Sequence, residues 1–158
     1  MSSGIQITHL QNHYNFKTYI MKILVVDDER DVEQLYLQRF RKEIRSGEIA
    51  ILFAFSGTEA LELMSQLHPM DVVLLLSDIN MPGMTGFDLL KVAQEKYPYI
   101  TIFMVSAYGD ESNAGKAQDL GADDFFTKPV DFKLLRQKIF SHSPADSQNP
   151  ADNKNSNH

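Results

Sequence analysis

Short polar segments follow four of the apolar runs in this sequence, and they carry side chains suited to phosphate or metal chemistry. Asp27 and Asp28 stand directly after the first run, and Asp78 follows the third. Ser106 directly follows the fourth run, and Lys128 lies just beyond the fifth. If these segments meet at one edge of a sheet, a single crevice contains three carboxylates, a hydroxyl and an ammonium group.

Such a group of charges predicts a hard divalent cation. Two carboxylates about 4 Å apart repel each other by roughly 4 kcal/mol at an effective dielectric near 20, and a cation removes that cost. Oxygen ligands from a few side chains, completed by water, suit Mg²⁺ better than Ca²⁺. With the ammonium of Lys128 nearby, these are the parts that phosphoryl transfer needs, and one carboxylate can act as the nucleophile. The product is an aspartyl phosphate, with which Ser106 can form a hydrogen bond.

Five apolar runs alternate with helical patterns along the chain. Because the runs are continuously apolar, they predict parallel strands that are buried on both faces. Strands that alternate with helices indicate right-handed βαβ units. The fold class is therefore α/β, a doubly wound (βα)5 arrangement whose functional crevice lies beyond the carboxyl ends of the strands. The predicted strands are Ile23–Val26, Ile49–Ala54, Val72–Leu76, Ile100–Val105 and Asp124–Phe126.

The predicted helices differ in how strongly the sequence supports them. The first, from Glu29 to Ile44, spaces its apolar residues near the i, i+3, i+4 pattern. The fourth, around Gly109–Leu120, is poor in helix formers, so we expect tertiary contacts to hold it and the element to be mobile. The apolar side of the first helix consists of Val32, Leu35, Tyr36, Phe40 and Ile44. Capping residues begin the second, third and fifth helices: Ser56 with Glu59, Thr85 with Asp88, and Asp131.

Composition and charge exclude several functional classes. The 158 residues suit one domain. With 15 basic and 21 acidic residues, a net charge of −6 and no basic run, we expect no direct nucleic-acid binding. The absence of cysteine excludes disulfides, cysteine-bound zinc and a cysteine nucleophile. Apolar runs such as Val72–Leu76 are too short to span a membrane, and no signal peptide is evident, so the expected location is the cytoplasm.

The regular pattern covers residues 21–140. Residues 1–20 show no clear period, and they are either a short ordered extension packed on the domain or a segment that precedes a natural start at Met21. Residues 141–158 are rich in Ser, Asn, Asp and Pro and are predicted to be a disordered polar tail. Because no output domain follows residue 140, we expect a stand-alone domain.

Four motifs in this order resemble the receiver domain of two-component response regulators, over about residues 21–140. They are Ile23–Glu29, Ser77–Gly83, Val105–Ala107 and Thr127–Pro129. Each motif alone is weak, but the four together, each on the expected element, are highly specific. The resemblance implies a flavodoxin-like sheet with the strand order 2-1-3-4-5.

The resemblance also implies the roles of the acidic residues. Asp78 matches the phosphoacceptor. Asp28 matches the acid that binds the metal directly, and Asp27 its neighbour, which acts more through water. The main-chain carbonyl of Asn80 matches the remaining protein ligand. The implied cofactor is Mg²⁺, for which Mn²⁺ can substitute.

The resemblance further implies a conformational switch. Ser106 matches the hydroxyl residue that turns toward the phosphoryl group, and Lys128 matches the lysine that pairs with Asp78 and then with the phosphate. Phe125 matches the aromatic switch position, although a phenylalanine cannot donate a hydroxyl hydrogen bond. We expect a cis peptide bond before Pro129.

The implied function is a signalling switch in a phosphorelay rather than a dedicated enzyme. A histidine kinase or histidine phosphotransfer protein donates the phosphoryl group to Asp78, and the protein catalyses its own phosphorylation and slow dephosphorylation. The modification changes binding to a downstream protein through the fourth helix, fifth strand and fifth helix, and we expect a monomer or weak dimer. One alternative is a phosphorylation-independent adaptor or scaffold. Another, a flavodoxin-like cofactor-binding protein, is disfavoured because the Asp-Asp-Glu after the first strand repels phosphate.

Overall fold

A five-stranded parallel sheet lies between two layers of helices. The computed structural model describes residues 20–68, 71, 73–107 and 111–142, so most of the predicted N-terminal extension and C-terminal tail lies outside the described residues. The strands are β1 (Met21–Val26), β2 (Ile49–Ala54), β3 (Val73–Asp78), β4 (Thr101–Ser106) and β5 (Asp124–Thr127). The helices are α1 (Val32–Arg39), α2 (Arg41–Arg45), α3 (Gly57–Gln66), α4 (Gly86–Lys96), α5 (Glu111–Asp119) and α6 (Phe132–Ser141). None of these described helices is both long and apolar enough to cross a membrane.

The strand order is β2-β1-β3-β4-β5, and every neighbouring pair is parallel. This confirms the predicted fold class and strand order, and the strand bounds lie within two residues of the predicted ones. The register brings the carboxyl ends of four strands to one edge of the sheet. Val26 of β1 pairs with Ser77, Asp78 pairs with Val105, and Ser106 pairs with Thr127. The polar residues at these ends therefore lie beside one another.

Both faces of the sheet are buried, which explains why the strand sequences are continuously apolar. On one face, Leu24 and Leu75 are fully buried beneath α3, α4 and α5. On the other face, Ile23 and Phe103 are equally buried beneath α1, α2 and α6. Each such side chain contributes roughly 1.5–3 kcal/mol by leaving water. These two cores hold the strand ends in fixed positions.

The prediction of one long first helix over Glu29–Ile44 was wrong. The structure has two shorter helices, α1 and α2, separated at Phe40, which has a φ of −104° and a ψ of 19°. Phe40 is 1% exposed, and its ring centroid lies 6.3 Å from that of Tyr36 and 6.0 Å from that of Phe132. Burial of this ring between α1 and α6 outweighs the continuation of the helix. Leu35, predicted to be buried, is 40% exposed because it lies about 100° around the helix from Tyr36.

The predicted helix caps are present. The Ser56 hydroxyl accepts from the N–H of Glu59 at 3.1 Å, while the Glu59 carboxylate accepts from the N–H one residue before Ser56 at 3.2 Å. Thr85 and Asp88 form a complete reciprocal capping box at the start of α4. Asp131 accepts from two N–H groups of the first turn of α6. Each cap contributes about 1 kcal/mol and fixes where its helix begins.

The fourth predicted helix, around Gly109–Leu120, corresponds to α5, which is described from Glu111 onward. Gly109 lies outside the described residues, as do its two neighbours in the chain and Val72 of the predicted third strand. The expected mobility of α5 stays a prediction.

Candidate functional site

Three acids meet where β1 and β3 end. Asp27 follows β1 and is 5% exposed, Asp78 ends β3 and is 6% exposed, and Asp28 is exposed to solvent. One carboxylate oxygen from each of the three lies within 4.8 Å of those from the other two. The neighbouring position of β1 and β3 in the sheet thus brings together acids that are about 50 residues apart in the sequence. We name these three residues the acid cluster.

Lys128 reaches the acid cluster from the end of β5. Its Nζ donates to Oδ2 of Asp27 at 2.8 Å and to Oδ2 of Asp78 at 3.2 Å. Its backbone N–H donates to the carbonyl of Ser106 at 2.8 Å, which fixes the chain beside the end of β4. The peptide bond between Lys128 and Pro129 is cis, as predicted. One ammonium therefore contacts two of the three carboxylates of the acid cluster, and the site keeps an excess of negative charge.

The electrostatics of the site stabilise the charged form of Lys128 and disfavour the charged form of the neighbouring Asp78. Burial raises the pKa of Asp78, and the opposing effect of Lys128 does not cancel the combined effect of burial and the Asp27 charge. Burial alone would lower the pKa of Lys128, but its bonds to Asp27 and the charges of both acids raise it. Burial, and then the Asp27 and Asp78 charges, also raise the pKa of Tyr36, which keeps this phenol neutral. The site is thus poised to accept an additional positive charge.

The carboxylate oxygens of the acid cluster differ in the hydrogen bonds that they already accept. In Asp27, Oδ1 accepts from the N–H of Glu29 at 2.9 Å, and Oδ2 accepts from Lys128. In Asp78, Oδ1 has only a long bond, 3.4 Å from the N–H of Asn80. Asp28 has no hydrogen-bond partner among the residues that the structure describes. Asp28 and Asp78 therefore have oxygens available for a cation, and an all-oxygen donor set fits a hard ion such as Mg²⁺.

Ser106 lies at the end of β4, beside the strand that carries Asp78, and is 1% exposed. Its hydroxyl donates to the carbonyl of Ala107 at 3.1 Å and accepts from Nδ2 of Asn113 at 3.2 Å. Within the described part of the chain, no hydrogen bond joins Ser106 to Asp78. Sequence analysis missed Asn113, because a polar residue in the first turn of a weak helix gives no sign that it reaches a strand end.

Phe125 lies in β5, where it pairs with Met104 of β4. It is partly buried and packs on the core beneath α3, α4 and α5. The structure therefore places the predicted aromatic switch residue in contact with the helical layer rather than at the acid cluster.

Two further residues, to which the sequence analysis assigned no role, shape the end of β3. Ser77 is fully buried, and its hydroxyl donates to the carbonyl of Asp78 at 3.0 Å. Gly86 begins α4, and its N–H donates to the carbonyl of Ile79 at 2.8 Å. A Cβ at Gly86 would lie 2.7 Å from the Cα of Ile79 and closer still to the carbonyl oxygen of Asp78. Only glycine allows α4 to approach the strand end so closely, a requirement visible only once the helix is placed.

Comparisons with known proteins agree with this geometry. The family model described as the response regulator receiver domain matches residues 23–140. The chain is 35% identical over 140 residues to response regulator protein PilR of Pseudomonas aeruginosa, covering 84% of this chain and 29% of that relative. It is 32% identical over 126 residues to sporulation initiation phosphotransferase F of Bacillus subtilis, covering 80% of this chain and 96% of that relative. A response regulator receiver domain protein from Clostridium thermocellum has a solved structure with a TM-score of 0.69 at 27% identity, covering 77% of this chain and 93% of that one.

The chain spans less than a third of the length of PilR and of two other curated relatives, at 29%, 30% and 28%. The match therefore identifies the domain, not the activity of those longer proteins. The family match reaches all five strands of the described sheet, beginning at Ile23 within β1, and the sheet has the strand order that the sequence motifs implied. The chain belongs to the family of response regulator receiver domains of two-component systems.

Proposed function

We propose that Asp78 accepts a phosphoryl group, with Mg²⁺, from a phosphohistidine of a histidine kinase or a histidine phosphotransfer protein, and that this modification changes binding to a downstream protein. One observation carries the proposal: the buried Asp78 carboxylate has the Lys128 ammonium at 3.2 Å and two further carboxylates within 4.8 Å. Receiver domains of this kind generally interact with histidine kinases and downstream targets. One relative of this chain is a phosphotransferase by name.

In the proposed reaction, a carboxylate oxygen of Asp78 attacks the phosphorus of the donor. The new P–O bond forms as the P–N bond to the donor imidazole breaks. The electron pair of that bond stays on the imidazole nitrogen, which takes a proton from solvent. Lys128 faces the reacting oxygens and keeps its charge, so its ammonium can bind a phosphoryl oxygen as negative charge builds up there. The protein would thus catalyse its own phosphorylation, as a switch rather than a dedicated enzyme, and the same site would support slow dephosphorylation.

The donor set fits the proposed Mg²⁺ ion. Asp28 and Asp78 would hold it directly, the main-chain carbonyl of Asn80 would complete the protein ligands, and Asp27 would act through water because Lys128 and a backbone N–H already occupy its oxygens. When bound, the ion neutralises charge on the phosphoryl oxygens. Mn²⁺ would substitute, because it accepts the same oxygen ligands.

Switching is proposed to depend on Ser106 and Phe125. Ser106 would turn to donate a hydrogen bond to a phosphoryl oxygen on Asp78, and Phe125 would follow it within the layer of α3, α4 and α5. A change from 1:99 to 99:1 between two conformations takes about 5.5 kcal/mol of differential stabilisation. The Lys128 and Ser106 contacts to the phosphoryl group are the parts of the site able to contribute it.

We also propose residues 21–140 as the limits of the receiver domain, in agreement with the matched range of 23–140. The roles of residues 1–20 and 141–158, the cytoplasmic location and the monomeric or weakly dimeric state stay predictions. The alternative of a phosphorylation-independent adaptor leaves the costly acid cluster without a use, because a scaffold needs no buried carboxylates.

The proposal is tested by measuring intact mass after incubation with Mg²⁺ and either acetyl phosphate or phosphoramidate, which carries a P–N bond like that of phosphohistidine. We expect a single phosphoryl adduct that is absent from Asp78→Asn and absent when a chelator is added first. Asp119→Asn is the matched control, because Asp119 is an exposed acid at the end of α5, and it should label like the wild type. A folded wild-type protein without an adduct from either donor or from a phosphorylated histidine phosphotransfer protein would instead support the adaptor.

A further inference from the structure

The hydroxyl of Ser106 forms two hydrogen bonds, and neither of them is to Asp78. It donates its proton to the carbonyl of Ala107 and accepts a proton from Nδ2 of Asn113, at 3.1 and 3.2 Å. Ser106 is 1% exposed, so solvent water cannot replace a hydrogen-bond partner that the hydroxyl loses. Any rotation of this side chain must break both bonds.

Asp78 and Ser106 are close enough in the sheet for such a rotation to matter. Asp78 pairs with Val105 across β3 and β4, which places Ser106 one residue beyond the position opposite Asp78. The Ser106 hydroxyl can therefore be directed either toward α5, where Asn113 lies, or toward the edge where the acid cluster lies. The structure shows the first arrangement.

We propose that Asn113 is a positioning residue that holds Ser106 away from Asp78 and thereby sets the free energy that phosphorylation must supply to turn it. This inference rests on the proposed function of Asp78 as phosphoacceptor. The Ala107 carbonyl is a backbone group that any sequence provides at this position, whereas the amide of Asn113 is a property of this chain. When Ser106 turns, the half-buried Asn113 amide loses its acceptor, and that loss opposes the switch.

The same bond links the switch hydroxyl to α5. Asn113 lies in the first turn of α5, a helix that also contains Gly115 and whose sequence favours helix only weakly. Release of Ser106 frees the amino-terminal turn of α5 from the end of β4. Asn113 thus connects an event at Asp78 to a helix on the surface of the domain.

The first test uses the unmodified protein and does not depend on phosphorylation. In the wild type we expect NMR couplings of the Ser106 β protons to report one χ1 rotamer, and in Asn113→Ala to report averaging among rotamers. The substitution suits a helix, so the variant should fold. A Ser106 rotamer that is unchanged in Asn113→Ala would overturn the proposal, whatever the chemistry of Asp78.

The second test measures binding of beryllofluoride, a phosphoryl mimic, in the presence of Mg²⁺. Asn113→Ala should bind it about fivefold more tightly than the wild type, the factor that corresponds to one hydrogen bond of about 1 kcal/mol. In a Ser106→Ala background, the same substitution should have no effect, because the bond is already absent. Gln118→Ala, on the exposed side of α5, should bind like the wild type. Equal affinity of Asn113→Ala and wild type for beryllofluoride would overturn the proposal for Asn113. A gain in affinity that persists without the Ser106 hydroxyl would overturn it as well. A wild type that binds no beryllofluoride would instead count against the proposed function of Asp78.

Discussion

Asp78 has to carry its charge where burial and a neighbouring carboxylate both oppose it. Burial raises the pKa of this carboxyl in the folded protein above the ordinary value of about 3.9. Stability from this group is therefore greatest below the ordinary pKa and is lost as the pH rises through the folded pKa. Asp78→Asn should accordingly raise the Tm at neutral pH in the presence of a chelator, and the gain should shrink as the pH falls toward about 4. Thermal melting followed by circular dichroism over this pH range checks the prediction.

The matched control for this prediction is again Asp119→Asn, which removes an exposed carboxylate from the end of α5. It should leave the Tm nearly unchanged at every pH. If Asp78→Asn instead melted below the wild type at neutral pH, the attraction of Lys128 for Asp78 would exceed the penalty of burial. The charge of Asp78 would then stabilise the folded protein through its ion pair with Lys128, instead of destabilising it.

Lys128 offsets the charge of the acid cluster, and its removal should have two opposite effects. Lys128→Ala leaves Asp27 and Asp78 without their ammonium partner, so the free energy of unfolding should fall by about 2 kcal/mol in a chelator. Mg²⁺ should bind more tightly to the same variant, because the site becomes more negative. Urea denaturation and titration calorimetry measure the two effects. Lys133→Ala, an exposed lysine of α6, should show neither, and tighter binding in that control would mean that long-range charge alone is responsible.

At the scale of elements, the position of the site depends on how closely α4 approaches β3. A methyl group at Gly86 would collide with the backbone of Ile79 and with the Asp78 carbonyl, which cannot move like the end of a flexible side chain. Gly86→Ala should therefore lower the free energy of unfolding by about 1–3 kcal/mol. It should also weaken Mg²⁺ binding, because the displaced helix pulls on the segment from Asp78 to Asn80. Denaturation and Mg²⁺ titration of the variant test both statements, and unchanged Mg²⁺ affinity would show that the strand end is held independently of α4.

Gly115 provides the opposite case on α5. A Cβ at this exposed helical position would meet no atom within 4 Å. Gly115→Ala should therefore raise the free energy of unfolding by about 0.5–1 kcal/mol through helix propensity alone. Urea denaturation measures the change. A loss of stability would mean that the amino-terminal half of α5 needs the conformational freedom of glycine.

At the scale of the whole molecule, the fold and most of the site could be predicted from the sequence, because both follow from general rules of parallel sheets. Strands buried on both faces give continuous apolar runs, and side chains that follow neighbouring strands meet at one edge. That reasoning predicts that Asp27, Asp78 and Lys128 lie close together, and the distances between their side-chain atoms agree.

The features that the sequence did not reveal all depend on contacts between distant parts of the chain. The break at Phe40 follows from burial of its ring against Phe132, more than 90 residues away. The bond from Asn113 to Ser106 depends on how α5 docks on β4, and the need for glycine at position 86 depends on how α4 docks on β3. Periodicity and capping patterns specify where elements begin and which face is apolar, but they do not specify which side chain of a helix reaches which strand end.

We expect the acid cluster to make the stability of the whole domain depend on divalent cations. Mg²⁺ at ten times its dissociation constant should raise the free energy of unfolding by about 1.4 kcal/mol, or the Tm by roughly 5 °C, since only the folded chain assembles the three carboxylates. Asp28→Asn should lose most of this shift and yet keep the wild-type stability in a chelator, because Asp28 is exposed and has no hydrogen-bond partner among the described residues. Thermal melts with Mg²⁺, with a chelator and with sodium chloride of equal ionic strength separate site binding from general screening. An equal shift in wild type and Asp28→Asn, or with sodium chloride alone, would mean that the cation acts on the net charge of −6 and not at the end of β1.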